Sequence, residues 1–141
     1  MEQSNTPNQF FARSRLQNAA SQFYWIAVLS LVNLILLIVD AQVIFPTGLA
    51  IASILAALSY GLELTWRIVV SLGALGMVGM FALFGYYGKK GASWAFISGI
   101  AIYVLDGVIW GFLGGWISAG FHALILVFII RDLVAHSRQT S

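Results

Sequence analysis

The sequence predicts an all-α, polytopic membrane protein with four transmembrane helices plus a short re-entrant or interfacial half-helix over residues 49–60. Three observations carry this. Of 141 residues, 60% are hydrophobic and 9% charged, and the mean hydropathy is +0.91. Soluble domains carry roughly a quarter of charged residues, so this chain cannot cover a water-facing surface. Apolar runs of about 20 residues recur, the length that crosses hydrocarbon as a helix. The few basic residues cluster between those runs, where the positive-inside rule can read them.

Taken in order, residues 1–22 form a polar tail. Within it residues 8–22 look helical, and Phe10, Phe11, Arg13 and Arg15 suit an interfacial helix on an anionic leaflet, with a plain tail as the alternative. Arg13 and Arg15 precede an apolar run longer than a signal-peptide core, and no small-x-small site follows before Pro46. An uncleaved first membrane helix is expected. It spans residues 23–45, roughly 34 Å at 1.5 Å per residue. Phe23, Tyr24 and Trp25 read as its aromatic belt. Asn33 and Asp40 are seven positions apart and share a face, and Pro46 and Gly48 end the helix.

Residues 49–60 are apolar but amount to only about 18 Å of helix. Charge decides whether they cross. With four spans, Arg13, Arg15, Lys89, Lys90, Arg131 and Arg138 share one side and only Arg67 faces the other. A fifth crossing would leave Arg13, Arg15 and Arg67 opposed to the remaining four. The first arrangement obeys the rule far better. The segment is then a half-helix on the outer side, and protein must cover its backbone ends.

The second span, residues 65–87, has Glu63, Trp66 and Arg67 at its outer mouth, with Glu63 and Arg67 in favourable i, i+4 order. Gly73, Gly76 and Gly79 recur every third residue, with Gly85 and Gly88 beyond, and small residues like these predict close approach of a neighbour. Lys89, Lys90 and Gly91 make a tight turn. The third span covers residues 93–112, with Gly107, Gly111 and Gly115 four apart. A very short turn leads to the fourth span, residues 116–133, so these two are antiparallel neighbours. Arg131 and Asp132 close that span, and residues 135–141 form a polar tail. The membrane domain is then residues 23–134, with no soluble domain beside it.

The one constellation that hints at chemistry is a polar layer. Counting along each helix puts Asp40, Asp106 and His122 about 8 Å below the outer interface, with Arg67 shallower. Tyr103, Asp106 and Trp110 lie on one stripe of the third span, and Ser118 lies one turn above His122. The candidate site is therefore Asp40, Asp106, His122, Arg67 and Tyr103. An ionisable group in hydrocarbon is costly and has either a partner or a task.

Three roles fit such a layer. It can join helices, as interhelical polar pairs do. It can relay protons or bind cations for a small-solute carrier, with the half-helix resembling the broken helices of transporters. It can hold a metal and act on a lipid as an intramembrane enzyme. The third needs more ligands than one histidine offers, and His136 lies at the opposite membrane side. No metal site and no cofactor is expected; a haem anchor would want two histidines at one depth.

The glycine runs lack the strand-turn-helix context of a phosphate loop. The absence of cysteine sets aside thiol chemistry, and with it the small quinone-linked disulfide enzymes. A net charge of +2 does not suggest nucleic acid. The lone glutamate in the first helix of the small multidrug exporters has no counterpart here. The leading expectation is a non-catalytic helix bundle or membrane-complex subunit, and the alternative is the proton- or cation-linked carrier. Its partners are the lipid bilayer and a second copy or another membrane protein. The expected location is a bacterial inner membrane with both termini cytoplasmic.

Overall fold

The computed structural model describes residues 7–38, 48–58 and 62–140. It is all-α, in the order α1 (Pro7–Ile38), α2 (Ala50–Leu58), α3 (Leu64–Lys89), α4 (Ser93–Phe112) and α5 (Trp116–Thr140). Four of the five, α1, α3, α4 and α5, are long and apolar enough to cross a bilayer. The fifth, α2, has 9 residues, or about 14 Å of helix, half the thickness of the hydrocarbon core. The architecture is a polytopic bundle with one inserted half-helix.

Glycines make the turns between the last three helices. Lys90 to Ala92 reverse the chain between α3 and α4, with Gly91 at φ +84°. Gly91 N–H donates to the Gly88 carbonyl at 2.9 Å and Ala92 N–H to the Tyr87 carbonyl at 3.0 Å. Leu113 to Gly115 do the same between α4 and α5, with Gly114 at φ +79°. There Gly115 N–H donates to the Trp110 carbonyl at 2.8 Å. Left-handed backbone after a helix costs glycine little, and these bonds use carbonyls the helix end leaves open.

The helices α1 and α5 are longer than apolarity alone indicates. Residues 8–22 and the described part of the first span form one unbroken helix, α1. Likewise α5 continues as helix past residue 133 to Thr140. The two extensions pack on each other and fasten with polar contacts: His136 Nδ1 donates to the Ala12 carbonyl at 2.8 Å, and Arg15 pairs with the buried Asp132 at 3.2 Å. Arg131 joins the same carboxylate oxygen at 3.3 Å. His136, which the sequence puts in a tail, is thus part of the α1–α5 seam.

The core is aromatic and sits between α1, α3 and α4. Phe23 is fully buried, not part of a belt, and its ring lies within about 6 Å of Phe81, Phe84 and Phe96. Room for it comes from Gly99, where an added Cβ would fall 2.6 Å from the Phe23 ring. Phe81 passes the stack to Tyr103.

Of the close approaches expected along α3, those at Gly85 and Gly88 are present and those at Gly73, Gly76 and Gly79 are not. Nothing comes within 4 Å of a Cβ built at Gly76 or Gly79, and Gly73 only grazes Leu55. Among the glycines of α3 and α4, the tight contacts fall on Gly85, Gly88, Gly99 and Gly107. A period of three drifts around a helix of 3.6 residues per turn, so such a run cannot keep facing one neighbour.

Candidate functional site

The site is assembled where α2 begins. Leu49 precedes the helix and carries no acceptor with which to cap it. It and Ala50 are fully buried, so the first N–H groups of α2 have no water to turn to. Their partners come from other helices. Leu49 N–H donates to Ser30 Oγ of α1 at 3.0 Å. Ala50 N–H donates to Asp106 Oδ2 at 2.7 Å, and Ile51 N–H to Asp106 Oδ1 at 3.0 Å. A carboxylate on α4, 56 residues away in sequence, supplies the cap that the local sequence lacks.

Asp106 is also bonded to α5. Its Oδ2 lies 3.0 Å from His122 Nε2, and His122 Nδ1 lies 2.8 Å from the Ser118 carbonyl oxygen. The carbonyl can only accept, so Nδ1 carries a hydrogen. A hydrogen must also lie between Nε2 and Oδ2, on the imidazole or on the carboxyl. Both side chains are within 1% of complete burial. The Ser118 contact is through its backbone carbonyl.

Close packing supports this geometry. Gly107 lets α5 approach: a Cβ there would stand 2.9 Å from His122 Cβ. The Tyr103 ring stacks on the His122 ring at 4.3 Å and 21°. Its hydroxyl is buried and has no hydrogen-bond partner among the described residues. Trp110 Nε1 donates to the Gly48 carbonyl at 3.2 Å. Gly48 leaves no space for a side chain against Asn33 of α1. The stripe of Tyr103, Asp106 and Trp110 thus faces α2 and α5 together.

Of the residues singled out from sequence, Asp106, His122 and Tyr103 are brought together. Asp40 lies outside the described residues, as does the side chain of Arg67. Ser30 and the amides of Leu49, Ala50 and Ile51 were missed. One signal for them was available: a short apolar helix with no capping residue of its own needs a cap from elsewhere. Among the described residues, no group of three or more His, Cys, Asp or Glu side chains converges.

No family model, curated protein or solved structure matches the chain.

What the arrangement does chemically follows from its bonds. The start of α2 carries the positive end of the helix dipole, and the Asp106 carboxyl lies on it. The buried charge is matched by two backbone donors and the imidazole, the kind of satisfaction that makes an ionisable group tolerable in hydrocarbon. Both carboxyl oxygens have partners. The site is a closed polar junction of α1, α2, α4 and α5.

Proposed function

We propose that the protein is a small, non-catalytic integral membrane protein, acting through helix contacts or as a subunit of a larger membrane assembly. Its Asp106–His122 junction serves as a structural lock that seats the half-helix. The observation that supports this most is that both oxygens of the fully buried Asp106 are engaged, by the N–H groups of α2 and by His122. Thermal unfolding of Asp106→Asn, His122→Ala and the double variant tests it. The lock predicts that both single variants melt lower and that the double variant loses no more than the worse single one. Unchanged melting in both variants would refute it. A subunit role predicts co-purification of a defined partner after crosslinking in native membranes.

A second reading is favoured by one specific feature. The contact of His122 Nε2 with Asp106 Oδ2 lies at the start of a short apolar helix, a placement that a proton- or cation-linked carrier of small solutes could use. That reading predicts pH-driven flux in reconstituted vesicles, abolished in Asp106→Asn. The charge bias supports an orientation with the Lys89–Lys90 turn and both termini in the cytoplasm, and a bacterial inner membrane suits it.

A further inference from the structure

At the opposite end of the bundle from the junction, α1 and α3 frame a groove. Ser21, Tyr24, Trp25 and Val28 stand at i, i+3, i+4 and i+7 and form one stripe of α1. With Lys89 of α3 they line a cavity of about 360 Å³. Gly85 seats one wall of it: a Cβ there would lie 2.8 Å from the Tyr24 ring, so glycine lets the ring settle against α3. Lys89, one turn further on, holds its ammonium 4.7 Å from the centre of that ring. Trp25 is 61% exposed and forms the outer wall.

The chemistry changes along the groove in a definite order. Lys89 and Ser21 stand at the bundle end, then come the two aromatic rings, then Val28 about 10 Å deeper. The hydroxyl proton of Ser21 is committed to the Gln17 carbonyl at 2.8 Å, so an anion would be met by Lys89. Lys89 is exposed at the end of its helix. Its neighbour Lys90 is engaged differently, donating to Tyr86 Oη at 2.7 Å and covering that ring. Among the described residues at this end, Asp132 is the one carboxylate, and it is taken by Arg15 and Arg131.

We propose that this groove seats an anionic phospholipid, its phosphate on the Lys89 ammonium and its glycerol beside Tyr24 and Trp25. The upper acyl chain then lies along Val28. Cation, aromatic belt and aliphatic wall follow one another in the sequence a membrane leaflet presents. The site is independent of the role of the Asp106–His122 junction.

Delipidated protein in detergent is titrated with phosphatidylglycerol or phosphatidylcholine and read by native mass spectrometry. Wild type is expected to retain phosphatidylglycerol more tightly than phosphatidylcholine. Lys89→Gln weakens the phosphatidylglycerol complex about fivefold, the equivalent of about 1 kcal/mol per basic residue at an anionic surface. Lys90→Gln, which removes the same charge one residue away, leaves it unchanged. Equal retention of the two lipids by wild type overturns the proposal. So does an equal loss in both variants, which would mean diffuse surface charge, or no loss in Lys89→Gln.

Discussion

At the scale of single residues, the cost of burying Asp106 is offset by the number of donors aimed at it. Two backbone N–H groups and one imidazole nitrogen lie between 2.7 and 3.0 Å from its oxygens. Hydrogen bonds to a charged group contribute about 2 kcal/mol each, and a donor left buried without its acceptor costs a similar amount. Asp106→Asn keeps the shape but offers one accepting oxygen where there were two. It is expected to lower stability by about 2 kcal/mol, measured by unfolding in mild detergent. Glycine positions on the same helix give a matched control. Gly107→Ala drives a methyl toward His122 Cβ and is expected to cost about 1–3 kcal/mol, the usual range for overpacking. Gly111→Ala, with nothing within 4 Å of the new carbon, is expected to stay within about 0.5 kcal/mol of wild type.

At the scale of elements, α2 is the piece that cannot stand alone. Nine residues make too short a helix to persist by propensity. Its start is fixed by Ser30, Asp106 and Trp110, which belong to two different helices. Releasing Asp106 should therefore free the whole segment. Hydrogen exchange at Ala50 and Ile51 is expected to be slow in wild type and markedly faster in Asp106→Asn, while exchange in the middle of α4 stays unchanged. Equal acceleration in both places would mean global loosening. The α1–α5 seam is a second element-level fastening, built from Arg15–Asp132 and His136 with the Ala12 carbonyl. The Arg15 pair is half exposed and contributes little by itself. The histidine contact ties backbone. His136→Ala is expected to hasten proteolysis after Arg13 and Arg15 while the melting temperature changes only slightly.

At the scale of the whole molecule, the outward surface is apolar and several polar side chains lie inside. Buried positions include Ser30, Asn33, Asp106, Ser118, His122 and Asp132, while large apolar side chains such as Leu72, Ile97, Leu105 and Val127 face outward. That distribution suits a lipid solvent, where apolar burial gives helices little reason to associate and close packing and polar contacts hold them together. The chain has no cysteine, so single-cysteine variants report position cleanly. Lys90→Cys and Leu113→Cys occupy turns at opposite ends of α4 and are expected to react with impermeant maleimide from opposite faces of sealed vesicles. Reaction from one face would contradict the spanning arrangement.

The helices were legible in the sequence because hydrocarbon imposes a length and a composition on whatever crosses it, and both are local properties. The half-helix was legible for the same reason, being too short to cross. Asp106 and His122 could be brought to one depth by counting residues, since rise per residue is constant. Phe23 was misread as belt because aromatic composition looks alike at an interface and in a core, and Gly99, which makes its pocket, lies 76 positions further along the chain. Gly76 and Gly79 promised a contact that helix rotation turns away. The sequence by itself determined the number of spanning helices and the turns that make neighbours of α3, α4 and α5. Only the tertiary structure decided that the carboxyl of Asp106 caps α2. Capping depends on which side chain reaches an open N–H in space, and no local pattern records a distance between residues 50 and 106.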